Sequence, residues 1–169
     1  MTQGFFTSIP GYYWRHASST DGAAIRQIIF PALEEHGLKP EPEITDKDLY
    51  DIDLYYKSHF FGVITDADNV VKGTFALYNM GNGVAEIRKM YLPADLRGKG
   101  LGKWMLQFLV EKAQSEGCQE LILETASCLS KAIALYRSFG FETVCGHNAS
   151  PRCDVCMSLK LPTMPDTQN

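Results

Sequence analysis

Residues 86–103 read Glu86-Ile87-Arg88-Lys89-Met90-Tyr91-Leu92-Pro93-Ala94-Asp95-Leu96-Arg97-Gly98-Lys99-Gly100-Leu101-Gly102-Lys103. The first seven residues close a run rich in β-branched and aromatic side chains, which reads as a strand, and the helical period starts at Leu101. Between them, Gly98, Gly100 and Gly102 alternate with Lys99 and Leu101. Alternate glycines let the main chain turn tightly and approach a ligand with several N–H groups pointing one way. The helix that follows adds the positive end of its dipole, so the segment has the make-up of a phosphate cradle. Arg97, Lys99 and Lys103 add positive charge suited to a pyrophosphate.

On the N-terminal side of this segment, residues 60–65, 70–78 and 84–92 are three strand-like runs. They are separated by Asp66-Ala67-Asp68-Asn69 and Asn79-Met80-Gly81-Asn82-Gly83, both turn-forming, which predicts an antiparallel meander. Residues 12–17 read as a first strand. Asp21 is placed to N-cap a helix with Ile25, Ile28, Ile29 and Leu33 inward, which Pro31 should end or kink. Thr45-Asp46-Lys47-Asp48 resembles a capping box opening a second helix through about Ser58. On the C-terminal side, residues 101–116 form a helix with Leu101, Trp104, Met105, Phe108, Leu109 and Ala113 inward, stopped by Gly117. Residues 119–124 are a short buried strand, 130–139 a helix stopped by Gly140, and 141–145 and 153–161 the last strands. The expected fold class is a mixed, mostly antiparallel α/β sheet flanked by helices, in the order βαα-βββ-α-β-α-ββ. Residues 1–161 form one domain and residues 162–169 a frayed tail.

Three phosphate motifs compete for the glycine loop. A Walker loop needs a glycine where Arg97 stands and Ser or Thr where Trp104 stands. A dinucleotide fingerprint starting at Gly98 needs glycine at Lys103 and a parallel βαβ unit, not a meander. The third fits at every position: Arg97-x-x-Gly100-x-Gly102 resembles the R/Q-x-x-G-x-G/A signature of the GNAT superfamily of acyl-CoA-dependent N-acyltransferases. Ala132-Ile133-Ala134-Leu135-Tyr136-Arg137-Ser138-Phe139-Gly140-Phe141 is similar to its second signature, A-x-x-L-Y-x-x-x-G-F. The element order is also that of the family, so the resemblance covers most of the chain.

The resemblance implies that acetyl-CoA, as co-substrate, lies between the strand ending at Leu92 and the strand ending at Glu124, which splay apart. The backbones of Met90, Tyr91 and Leu92 would pair with the pantetheine arm as an added strand does. The N–H groups of Arg97, Gly98, Lys99, Gly100, Leu101, Gly102 and Lys103 would hold the pyrophosphate. Tyr136 is similar to the family's tyrosine general acid, which serves the departing CoA thiolate. Periodicity alone would make it a core aromatic. Glu86 stands where several members carry a glutamate base, often acting through water. Its other reading is a strand-edge surface residue, with Glu124 and Asp154 in reserve. Many members carry an asparagine after the second of these strands. Here the stretch is Thr125-Ala126-Ser127-Cys128-Leu129-Ser130, where Ser127 or Ser130 would have to serve. Cys128 suggests an acyl-cysteine route, but no histidine is evidently paired with it, so direct transfer is preferred.

Composition narrows the partners. The chain has 169 residues, 45% hydrophobic and 21% charged, with a net charge of −4, which argues against a dedicated nucleic-acid binder. No apolar run approaches the ~20 residues of a membrane span, and residues 1–10 do not read as a secretory signal. Five cysteines without such a signal point to reduced thiols in the cytoplasm. A zinc site from Cys145, His147, Cys153 and Cys156 is disfavoured, because Cys153 and Cys156 lie in a strand-like run that would turn them to opposite faces. No metal is expected. From Glu34 to Asp53, eight acids face only Lys39 and Lys47, a local balance of −6. In the family this region forms the acceptor wall, which suits a cationic small molecule or peptide amine. The expected function is therefore transfer of acetyl from acetyl-CoA to a primary amine by direct attack, with room for a homodimer. The alternative is a non-catalytic acyl-CoA-binding sensor.

Overall fold

In the computed structural model, which describes residues 4–144 and 151–163, eight strands form one sheet. They are β1 (Phe5–Phe6), β2 (Tyr13–His16), β3 (Phe60–Thr65), β4 (Val71–Gly81), β5 (Val84–Tyr91), β6 (Glu120–Thr125), β7 (Glu142–Val144) and β8 (Val155–Lys160). The helices are α1 (Gly22–Glu35), α2 (Ile52–Tyr55), α3 (Leu101–Ser115) and α4 (Ser130–Ser138). The sheet order is β1-β2-β3-β4-β5-β6-β8-β7, and every pairing is antiparallel except β5 with β6. This is the mixed, mostly antiparallel α/β fold expected from the element order. Cys145 and His147, with residues 164–169 of the expected tail, lie outside the described residues.

The central strands are buried on both faces, and their alternation divides the core in two. Phe60, Ile64 and Phe75 pack with Leu101, Met105, Leu106 and Leu109 of α3 and with Ile133 and Tyr136 of α4. Phe61, Val63 and Ala76 turn the other way, against Ile25, Ile29 and Leu33 of α1 together with Leu49, Ile52 and Tyr56. The first meander turn is pinned by Asp66, whose Oδ1 accepts N–H bonds from Asp68 (3.0 Å) and Val70 (2.9 Å). Gly117, at φ +78°, closes α3: its N–H reaches Gln114 O and that of Cys118 reaches Ala113 O, both at 3.0 Å.

Several local expectations change. Phe5–Phe6 adds an edge strand where none was expected. α1 runs through Pro31, which sits on its exposed side. Asp21 precedes α1 without capping it. Its carboxylate instead takes two bonds of 2.9 Å from Arg15 and one of 3.0 Å from the Ser18 N–H. The expected helix from Thr45 to Ser58 is instead a 3-10 turn (Lys47–Tyr50) followed by the single turn of α2. The cause is Asp46, which is fully buried and whose carboxylate is engaged by Lys89, Arg152 and the Glu41 N–H rather than by the first turn of a helix.

Candidate active site

A cleft opens where the sheet changes direction. β5 and β6 pair in parallel only from Val84↔Glu120 to Ile87↔Leu123. Beyond that point, β5 stays with β4, while Glu124 and Thr125 pair with Cys156 and Val155 of β8. The strands therefore part, leaving the β5 backbone from Arg88 to Leu92 along one wall of a cavity of about 1000 Å3. Glu86, Met90, Tyr91, Leu92, Glu124 and Tyr136 all line it.

One residue of β5 is extra where it leaves β6. Thr74 pairs with Tyr91 and Ala76 with Arg88, so one residue of β4, Phe75, opposes two of β5, Lys89 and Met90. Lys89 sits in this bulge at φ +50°, unusual for a residue with a side chain, and its carbonyl accepts a 2.7 Å bond from Thr74 Oγ1. Its ammonium points across to the loop around Thr45, 2.7 Å from Asp46 Oδ1, 2.9 Å from Thr45 O and 3.2 Å from Asp48 Oδ1. Arg152, just before β8, grips Asp46 from the other side with bonds of 2.7 and 2.9 Å. Burial pushes the Asp46 carboxyl up, but Arg152, Lys89 and the Glu41 N–H outweigh it and hold it well below the usual carboxylate range.

At the other end of the cleft, β5 runs through a 3-10 turn (Ala94–Leu96) into the glycine loop. Gly98 and Gly100 have φ of +74° and +92°, and Gly100 is the residue from which α3 starts. No side chain caps that helix, so the N–H groups of its first turn have no capping partner. Gly98, Gly100, Gly102 and Lys103 line the cavity, and Ser130 lines it from the start of α4. Leu101 is fully buried in the core and does not line the cavity. Arg97 lines the cleft but is anchored: its Nε donates to Leu92 O at 3.0 Å and its Nη1 to Glu35 at 2.9 Å. It braces the loop against β5 and α1.

Tyr136 lies on the inward face of α4, almost fully buried, and burial together with nearby Tyr91 raises its pKa. Burial also pushes the Tyr91 phenol up, to about 12, against a lowering by Arg152. Glu86 is paired with Arg88 Nε two residues along the same strand face. Of the reserve candidates, Glu124 lines the cleft, whereas Asp154 is exposed and holds Ser127 through two 2.7 Å bonds. That also removes Ser127 as a stand-in for the expected asparagine and leaves Ser130. Cys128 lines the cleft, and its sulfur contacts the main-chain carbonyl of His36 at 3.9 Å rather than an imidazole. Sequence reasoning did not single out Tyr56, Tyr78, Arg88, Lys89 or Arg152 around this cleft, and read Asp46 only as part of a capping box and of the acidic stretch.

A sequence profile of the acetyltransferase (GNAT) family matches residues 23–141. The chain belongs to that family of acetyl-CoA-dependent acetyltransferases. It is 31% identical over 156 residues to the uncharacterized N-acetyltransferase YjgM of Escherichia coli (strain K12), covering 87% of this chain and 93% of that protein. In fold it resembles a GNAT-family acetyltransferase from Staphylococcus aureus Mu50, with a TM-score of 0.83 over 89% of this chain and 99% of the other at 16% identity. It also resembles a phosphinothricin acetyltransferase from Sinorhizobium meliloti in complex with acetyl-CoA, with a TM-score of 0.70 over 94% of this chain and 92% of that one at 22% identity. GNAT membership makes acetyl-CoA the co-substrate. Among the described residues, no helix is long and apolar enough to cross a membrane, and no three His, Cys, Asp or Glu side chains converge as a metal site.

Proposed function

We propose that this acetyltransferase moves acetyl from acetyl-CoA to a primary amine by direct attack, with both substrates bound together. The observation that carries the proposal is one continuous cleft holding every part required. It has an uncapped helix start beside glycines at one end and β5 backbone that has parted from β6 along its wall, and Tyr136 and Glu86 line it. In this reading the loop from Arg97 to Lys103 holds the pyrophosphate, and Met90, Tyr91 and Leu92 pair with the pantetheine. The amine nitrogen attacks the thioester carbonyl carbon, and the carbon–sulfur bond breaks. Glu86 takes the amine proton, directly or through water, and Tyr136 gives its proton to the leaving thiolate before recovering one from solvent. Cys118 and Cys128 are free thiols, in keeping with a cytoplasmic setting.

The cationic preference read from the acidic stretch loses its main support. Asp46 and Asp48 are buried and already paired with Lys89 and Arg152, Glu35 holds Arg97, and the side chain of Asp51 accepts the Leu54 N–H to start α2. Thiol release measured over a panel of primary amines tests the function, with Tyr136→Phe as control. Turnover that collapses in the variant while CoA still binds supports it. Tight CoA binding with no turnover on any amine would make the protein an acyl-CoA sensor.

A further inference from the structure

Most cations around the acceptor end of the cleft are already engaged. Lys89 and Arg152 hold Asp46, and Lys47 lies over the Tyr55 ring at 5.9 Å. Arg88 differs. It lines the cleft with its side chain about one-third exposed, its Nε is paired with Glu86, and its Nη2 meets only the Met80 sulfur, at 3.8 Å. Among the described residues, neither terminal nitrogen has an oxygen partner, so the outer edge of the guanidinium offers the two-pronged donor that suits a carboxylate.

Its support is unusually stiff for a strand arginine. The guanidinium carbon lies 3.9 Å from the centroid of the Tyr78 ring. The His59 imidazole stacks on Tyr78 at 3.6 Å and 16°. His59 Nδ1 accepts the Asn79 N–H at 3.0 Å, so that nitrogen carries no proton. Burial and the neighbouring Arg88 lower the His59 pKa, which keeps the imidazole neutral beneath the arginine. The stack aims Arg88 without adding a competing charge, and the bulge at Lys89 begins at the next residue.

We propose that Arg88 anchors an anionic group of the acceptor, so that the preferred substrates are amines carrying a carboxylate close to the nitrogen, as α-amino acids do. This rests on the acetyltransferase reading above. Glu86 and Arg88 present one negative and one positive group side by side on the same strand face. A zwitterion with its ammonium and carboxylate one carbon apart mirrors that pair. The carboxylate takes the outer edge of Arg88, and the ammonium lies at Glu86, the group proposed to receive its proton.

The test is a matched set of three compounds: an α-amino acid, its carboxamide and its decarboxylated amine, run for several side chains. The wild type is expected to favour the acid by about tenfold or more in kcat/KM. Arg88→Gln should bring that ratio to within about twofold, and Arg88→Lys, which keeps the charge but loses the fork, should restore part of it. Equal use of all three compounds by the wild type, or an undiminished ratio in Arg88→Gln, overturns the proposal. Calorimetric binding of the same compounds to the CoA-loaded protein supplies a readout without turnover, with the same order expected and equal affinities overturning the anchor. If Arg88→Gln does not fold, Arg88→Lys and the wild-type ratios decide. Turnover of amines without regard to the carboxylate sinks the anchor alone, whereas ordered binding without turnover on any amine sinks the acetyltransferase reading alone.

Discussion

Asp46 Oδ1 lies 2.7 Å from Lys89 Nζ, joining two segments 43 residues apart. Arg152 binds the same carboxylate, so one buried acid ties the loop around Thr45, the β5 bulge and the approach to β8 together. Removing one member of such a network leaves the others charged and unpaired. Asp46→Ala should therefore destabilise the fold by about 3–5 kcal/mol, read from urea unfolding at neutral pH.

The same network makes stability depend on acid. The Asp46 carboxyl is held below its ordinary range in the folded state, so its contribution is complete above the unfolded pKa of about 4 and is lost as pH falls toward the folded value. Asp21, lowered by Arg15 and by the Ser18 N–H against burial, adds in the same direction. Wild-type stability should thus fall steeply below about pH 4, and Asp46→Asn, already weaker at neutral pH, should fall less steeply. Equal slopes for the two proteins would refute the assignment to Asp46.

The glycine loop was legible in sequence because its requirement is local: main chain at positive φ followed at once by a helix. The meander and the two long helices were legible for the same reason, through turn residues and apolar period. Asp46 was not. Thr45-Asp46-Lys47-Asp48 has the look of a helix start, and nothing near it in sequence reveals that Lys89 and Arg152 will arrive there. The acidic stretch misled on the same account. Net charge per segment ignores partners supplied by strands far along the chain, and two of those acids are inside the protein. Arg88 escaped notice as a site residue because its role depends on Tyr78 from the neighbouring strand.

Gly100 and Gly102 make different demands. At φ +92°, with Ile9 Cδ1 3.1 Å from where a Cβ would stand, Gly100→Ala is strained and should destabilise by about 1–2 kcal/mol. Gly102 lies in the first turn of α3, where an added Cβ would be 3.6 Å from Leu135 Cδ2, an ordinary contact. Gly102→Ala should leave stability unchanged or raise it by up to about 1 kcal/mol through helix propensity. In CoA titrations, Gly100→Ala should lose more affinity than Gly102→Ala, because it disturbs the path of the donors as well as their surroundings.

Tyr136 is kept neutral through the physiological range by burial and by Tyr91. As a proton donor to the leaving thiolate, its loss in Tyr136→Phe should lower kcat by about 10²–10⁴. The deficit should shrink with acetyl thioesters of more acidic thiols, whose thiolates need less help to leave. A raised pKa also means that Tyr136 causes no fall in rate between neutral pH and about pH 10. A deficit independent of the leaving group would point to a packing role for the ring instead.

Glu86 faces a test set by the acceptor. An alkylammonium with a pKa near 10.4 must give up its proton at a cost of about 4.6 kcal/mol at pH 7, whereas an α-amine near 8 needs only about 1.4 kcal/mol. If Glu86 takes that proton, Glu86→Gln should slow transfer to a simple alkylamine far more than to an α-amine, with the gap closing as the assay pH rises toward the pKa of the amine. Arg88 makes the prediction sharper, because its Nε holds the Glu86 carboxylate in the cleft while its outer edge is left for the ligand. In Arg88→Gln that hold is gone, so any remaining Glu86 dependence on amine pKa should persist even as the preference for carboxylated acceptors collapses. Equal losses for both amines in Glu86→Gln would assign proton removal to solvent and leave Glu86 as the partner that orients Arg88.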